Sequence, residues 1–152
     1  MTSAENDPFK YPSEASQEIM ATMHFQALWR SQKEVGLEYL LLALTAETRG
    51  TFTETVLNNL GITQTSLEPV LDIMDPYTGE RDANNTHETP EVEEVFKLAK
   101  SYARERRKQA EPEDLLLAST WVASTSRFEH VLQTLGVGYA RFKSEVQDAF
   151  RE

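Results

Sequence analysis

Apolar residues over positions 13–74 recur at intervals of three and four, the period of an α-helix with one buried face. Ile19, Met20, Met23, Ala27 and Leu28 mark a first helix over residues 13–33, with Ser13 as its cap. Gly36 separates it from a second helix, residues 38–48. There Leu40-Leu41-Leu42-Ala43-Leu44 is apolar around most of a turn, as buried helices are. Thr51-Phe52-Thr53-Glu54 has the form of a capping box, and Gly61, after Leu60, that of a helix stop. Leu67, Val70, Leu71 and Met74 predict a fourth helix, and Pro69 within it predicts a late start or a bend.

The pattern lapses over residues 75–88. Asp75-Pro76, Thr78-Gly79 and Asn84-Asn85 stand there with almost no aliphatic residues, which predicts a linker. Thr89-Pro90 then opens a fifth helix, with Thr as N-cap and Pro at the first helical position. Its apolar face is Val92, Val95, Phe96, Ala99, Tyr102 and Ala103, and it ends in the basic run Arg104–Lys108. Further helices are expected from Pro112, from about Ser126 and from about Tyr139. Ser126-Arg127-Phe128-Glu129 reads as a second capping box and Gly136 as a second stop. No segment alternates at the period of a strand over a useful length. The predicted class is all-α, a compact bundle of about eight helices.

A shift of 75 residues superimposes the two halves. Between Glu38–Gly61 and Glu113–Gly136, 11 of 24 positions are identical without a gap. Leu40–Leu42 falls on Leu115–Leu117, and Leu60-Gly61-Ile62 on Leu135-Gly136-Val137. The expected organisation is a loose tail over residues 1–12, one four-helix repeat over 13–74, the linker, and a second repeat over 89–150. A unit of about 60 residues has a marginal core of its own. The halves are therefore expected to pack face to face about a pseudo-two-fold axis, with both leucine runs central.

Composition narrows the functional classes. The chain has 152 residues, 15 Lys plus Arg against 25 Asp plus Glu, a formal net charge of -10 and no cysteine. Phosphate contacts need clustered cations, so general nucleic-acid binding is disfavoured, as is binding to an anionic membrane. A cationic partner is favoured. Without cysteine there is no disulfide, thiol nucleophile or zinc-thiolate site. No apolar run approaches the roughly 20 residues of a membrane span, and residues 1–12 are too polar for a secretory signal. A location in the cytoplasm or an organelle stroma is expected. His24, His87 and His130 lack metal-ligand spacing, and no nucleophile elbow or placed base occurs. The expectation is a protein that is not an enzyme and carries no metal or cofactor.

The duplicated pattern resembles the Clp N-terminal domain family, the double Clp repeat at the front of AAA+ unfoldases such as ClpA, ClpB and ClpC. The residues that carry it are Val35-Gly36-Leu37-Glu38 with the leucine run and Leu60-Gly61-Ile62. In the second copy they are Glu111-Pro112-Glu113-Asp114 with its leucine run and Leu135-Gly136-Val137. The resemblance covers about residues 13–150. It implies a non-catalytic module that docks substrates or adaptors to a Clp ATP-dependent protease or chaperone, or acts as its accessory subunit. Its partners would be Clp protease or unfoldase subunits, adaptors or substrate proteins. The chain has no G-x-x-x-x-G-K-S/T phosphate loop. It reads either as a stand-alone Clp N-domain protein, the favoured reading, or as the isolated front domain of a longer unfoldase. A monomer is the favoured state.

The resemblance also implies site residues. Glu38 and Glu113, with Gly36, stand where ClpC-type domains carry acids that take part in binding phosphoarginine. A carboxylate suits a guanidinium, and backbone N–H groups at a helix start suit a phosphate. The family's hydroxyl residue is replaced here by Leu37 and Pro112, and Pro112 also lacks an N–H. A sensor for phosphoarginine or another cationic small ligand in this groove is the alternative function. As plain helix-start residues, both acids would only complement the helix dipole. Trp29, off the buried line of its helix, is a candidate interface anchor, and Trp121 is expected to cover the core. Phe9 and Tyr11 would fold back on the body or enter a partner. The basic run 104–108 is expected to be a solvated helix end.

Overall fold

The computed structural model describes residues 7–79 and 85–151. Parts of the predicted tail and linker, residues 1–6 and 80–84, lie outside the described residues, as does residue 152. The element order is α1 (Glu14–Trp29), β1 (Glu34–Val35), α2 (Leu37–Glu47), α3 (Phe52–Asn59), α4 (Gln64–Met74), β2 (His87–Glu88), α5 (Pro90–Glu105), α6 (Pro112–Ser119), α7 (Ser126–Thr134) and α8 (Tyr139–Ala149). Eight helices, among the described residues, make this an all-α bundle.

Capping chemistry sets most boundaries. The Ser13 and Thr89 hydroxyls accept from the backbone N–H groups of Ser16 and Val92, which starts α1 and α5 at the predicted positions. Gly61 and Gly136 take left-handed conformations, with φ of 76° and 81°, and end α3 and α7. The N–H groups of Ile62 and Val137 then return to the carbonyls of Leu57 and Leu132, 2.9 and 3.0 Å away.

Three boundaries differ from the pattern. First, α1 stops at Trp29 rather than near residue 33. Ser31 adopts a left-handed φ of 60° and the Gln32 N–H caps the Ala27 carbonyl at 2.9 Å, a Schellman stop made without glycine. Arg107, with φ 56°, does the same after α5. Second, α7 is capped by Thr125, not Ser126. The Thr125 hydroxyl accepts from the Phe128 N–H at 3.1 Å, so the helix begins one residue earlier than the repeat predicts. The Thr51 box is incomplete as well, because the Glu54 carboxylate accepts from the Gly50 N–H instead of that of Thr51. Third, α4 starts five residues ahead of Pro69. Pro69 and Thr65 are exposed, so the Thr65 carbonyl left without its helical donor faces water.

The core runs through both halves. Tyr39 through Leu44 are at most 2% exposed, as are Leu115, Leu116 and Ala118, while Leu117 is half-buried. α2 packs on α6, and each also meets helices of the other half: α2 touches α5 and α7, and α6 touches α1 and α3. Each leucine-bearing helix is thus covered in part by the other repeat.

Two backbone bonds tie the halves reciprocally. The Thr89 N–H, at the start of the second repeat, donates to the Val35 carbonyl of the first at 3.1 Å. The Ser13 N–H, at the start of the first, donates to the Ala110 carbonyl of the second at 2.9 Å. The first of these belongs to a parallel ladder only two residues long, Glu34 opposite His87 and Val35 opposite Glu88. It is too short to alternate visibly in sequence, and it pins the end of the linker against the first repeat.

Candidate functional site

Three helix starts converge where the repeats meet. Gly36 caps α2, Thr89 caps α5 and Thr125 caps α7, and all three line one cleft of about 320 Å³. Glu38, in the first turn of α2, lies at its wall with 3% exposure. Its carboxylate folds back over Gly36, where a Cβ would come within 2.7 Å of it. Gly36 has extended backbone with φ −92°, so a side chain there would meet no dihedral strain and would conflict only with the Glu38 carboxylate.

The Glu38 carboxylate is already partnered. Arg127, the second residue of α7 and 89 positions away, donates from Nε to Glu38 Oε1 at 2.9 Å. Its Nη2 pairs with Asp75, which is 3% exposed. The buried Tyr39 hydroxyl donates to the same Asp75 carboxylate at 2.6 Å. One arginine of the second repeat thus bridges two buried acids of the first. Burial alone would lower the affinity of Arg127 for its proton. The hydrogen bond and charge of Glu38, reinforced by Asp75, outweigh this and hold its pKa above the ordinary value.

The second repeat uses other chemistry at the matching places. Seventy-five positions from Arg127 and Asp75 stand Phe52 and Phe150, whose rings meet edge to face with centroids 5.6 Å apart. Glu113 does not join Glu38 in the cleft. It is half-exposed, with Oε1 3.3 Å from Lys108 Nζ. The buried acid there is Asp114, 2% exposed, which accepts from the Glu111 N–H at 2.9 Å and pairs with Lys108 at 3.1 Å. Three cations of the basic run 104–108 bind acids of the same chain: Arg104 pairs with Asp7, Arg106 with Asp114 and Lys108 with both Asp114 and Glu113.

A second opening lies between α1 and α5. Met20 and Phe96, both half-buried, stand 76 positions apart, the same interval that separates the caps Ser13 and Thr89. They line a mostly apolar groove of about 410 Å³ that spans the pseudo-two-fold axis. Lys10, Lys97 and Lys100 edge it, with Glu88 and Glu93.

The remaining candidates are dispersed. Trp29 is half-exposed on α1 and stacks on Phe25, with ring centroids 6.4 Å apart. Trp121 does not cover the core: it is 58% exposed, with Lys143 Nζ 5.8 Å from its ring. It follows the end of α6, where the chain turns outward. Phe9 is half-buried and its N–H donates to Asp7 at 2.9 Å. Tyr11 is exposed beneath the Lys10 ammonium. His24 meets Thr86 and Glu88, and among the described residues no three acidic or imidazole groups are placed to hold a metal ion. No described helix is long and apolar enough to cross a membrane.

The Tyr39 phenol gives the network a pH signature. Burial, then the bond to Asp75, pushes its pKa far above the ordinary value of about 10. Above that pH the unfolded chain ionises this tyrosine and the folded chain does not. The stability contributed is therefore complete below pH about 10 and lost as pH rises beyond it. Urea midpoints measured from pH 8.5 to 11 are expected to fall less steeply in Tyr39→Phe than in the parent chain.

Two four-helix repeats about a pseudo-axis, with grooves at their junction, define a duplicated helical module. The family model of the Clp repeat (R) N-terminal domain matches residues 11–135, and the chain belongs to that family. Solved structures show the same fold. The N-terminal domain of the caseinolytic protease associated chaperone ClpD from Arabidopsis thaliana aligns with a TM-score of 0.66 and 20% identity, over 93% of this chain and 95% of that one. A protein solved in structural investigations of a malarial protein secretion system aligns with a TM-score of 0.61 and 15% identity, over 90% and 92%. Among curated protein sequences none matches this chain.

Proposed function

We propose that this chain is a non-catalytic protein-binding module that docks substrates or adaptors to a Clp ATP-dependent protease or chaperone, or serves as its accessory subunit. The cytosol or an organelle stroma is the setting that fits. The observation that carries the reading is the apolar groove between α1 and α5. It has an apolar floor and a charged rim, the anatomy of a site for a protein segment. Its two central side chains, Met20 and Phe96, come one from each repeat. The groove therefore exists only when the repeats are joined. Three lysines and two glutamates on the rim make it locally less acidic than the rest of the protein.

The geometry gives less support to a phosphoarginine sensor. A guanidinium from the chain itself, that of Arg127, already holds Glu38, and a ligand would have to displace it. Glu113 stands outside the cleft beside Lys108.

The test is recovery of intact complexes on the tagged chain, identified by mass spectrometry. Clp subunits are expected with the parent chain. Phe96→Asp is expected to reduce their recovery at least tenfold, because a charge in an apolar anchor site removes a hot-spot contact. The thermal midpoint should stay within a few degrees, since Phe96 is only half-buried. Recovery without any Clp subunit would overturn the reading.

A further inference from the structure

The internal duplication separates what the fold needs from what one repeat has added. α1 and α5 correspond at an interval of 76, and α4 and α8 at 75. On the outer side of the first repeat, Phe25 and Trp29 of α1 stand 58% and 51% exposed, with stacked rings. Together with Glu68 and Asp72 of α4 they line a groove of about 400 Å³. The corresponding residues of the second repeat are Ser101, Glu105, Lys143 and Gln147. The same helix pair thus folds there with no aromatic at the two matching positions of α5 and with a cation where Glu68 stands. Neither the aromatics nor the acid of the first repeat is a requirement of the fold, and exposing two large rings has a solubility cost.

We infer that the groove between α1 and α4, built by Phe25, Trp29 and Glu68, is a docking site for an arginine-bearing segment of a partner protein. Charge argues for the cation. The buried Arg30 at the groove floor is neutralised by Asp72, with Nη2 2.9 Å from Oδ1, and its Nη1 is held by Gln26 at 2.8 Å. Glu68 is half-buried and accepts from Gln64 at Oε1, 2.9 Å away; a carboxylate has about four lone-pair sites, so it can take further donors. The groove is left with one net negative charge beside two aromatic faces, on a protein whose net charge is -10. A planar guanidinium satisfies both parts, lying over an indole face and forking to a carboxylate. A neighbouring apolar side chain of the segment would cover Phe25. This site is separate from the α1–α5 groove and does not depend on it.

The probe is the capped tripeptide acetyl-Leu-Arg-Leu-amide, titrated into the full isotope-labelled chain with the Trp29 indole N–H resonance followed. Acetyl-Leu-Gln-Leu-amide and acetyl-Leu-Glu-Leu-amide are the controls. Saturable movement with the arginine peptide alone is expected, with a dissociation constant of about 1 mM. Glu68→Lys, which installs the residue of the sister repeat, should weaken it at least tenfold. Glu68→Gln should weaken it less, and Phe96→Asp should leave it unchanged. Absence of saturable movement, equal response to the glutamine peptide, or full binding by Glu68→Lys would each overturn the inference. So would loss of the response in Phe96→Asp, which would move the binding to the other groove. Because Trp29 and Phe96 report on different surfaces, failure here leaves the Clp docking test standing, and the reverse also holds.

Discussion

Leu41→Ala is expected to destabilise the whole chain by about 2–5 kcal/mol, and Leu116→Ala by a similar amount. Leu41 is 2% exposed and Leu116 fully buried, on the two central helices that pack against each other. Removing three carbons from either leaves a cavity in a core that both repeats share. A domain of this size has a stability of about 5–15 kcal/mol, so each loss is a large fraction of the total. The sharper expectation concerns cooperativity. Trp29 lies in the first repeat and Trp121 in the second, both half-exposed, so single-tryptophan variants report the halves separately. In a Leu41→Ala background the two fluorescence transitions in urea should move together and coincide. If Trp121 kept the parent midpoint while Trp29 shifted, the repeats would have separate cores, and the joint groove between α1 and α5 would lose its physical basis.

What the sequence disclosed about the fold is what local chemistry encodes. The Thr89-Pro90 start, the Gly61 and Gly136 stops and the two leucine runs each act within a turn or two of helix, and each is where the pattern placed it. The stop after α1 was hidden because Ser31 takes left-handed backbone without being glycine, whereas the end of α5 falls inside the basic run 104–108 as expected. At Ser124-Thr125-Ser126 three consecutive hydroxyl residues can each cap, and sequence cannot rank them; the structure uses Thr125. The candidate site was legible only in part. Glu38 and Gly36 could be singled out because the resemblance to the Clp N-terminal domains places its site residues there; a helix start alone would only give an acid that complements the dipole. The partners of Glu38 could not be read from periodicity, since Arg127 reaches it from 89 residues away. Yet a signal existed in the duplication itself. At the 75-residue shift, Arg127 and Asp75 change together into Phe52 and Phe150, a charged pair exchanged for an aromatic pair. Here the two positions that switch chemistry jointly are two that touch in both copies. Exposure of Trp121 carried no comparable signal, because a large ring at a helix end suits either a core or a surface.

Arg127→Met is expected to cost about 2–4 kcal/mol, far more than a surface ion pair of about 0–1 kcal/mol. The reason lies with the acids and not with the arginine. Arg127 itself is 39% exposed, and water would replace part of its interaction, which sets the lower end of the range. Glu38 and Asp75 have side chains only 4% and 3% exposed and cannot turn to solvent. Without the guanidinium they remain as two buried carboxylates, with the Tyr39 hydroxyl as the donor to Asp75. The loss should therefore shrink when the acids are neutralised. Arg127→Met introduced into Glu38→Gln/Asp75→Asn is expected to cost under half of what it costs in the parent, a coupling that a double-mutant cycle in urea measures. Gly36→Ala offers a second route to the same pair, because its Cβ would stand 2.7 Å from the Glu38 carboxylate and push it off Arg127. If the clamp is the reason for the glycine, Gly36→Ala destabilises the parent clearly and the Arg127→Met chain much less. Equal costs in both backgrounds would mean that the glycine serves only local sterics. An Arg127→Met loss within about 0.5 kcal/mol of zero would mean that the clamp adds nothing to what the apolar core and the backbone bonds between the repeats supply.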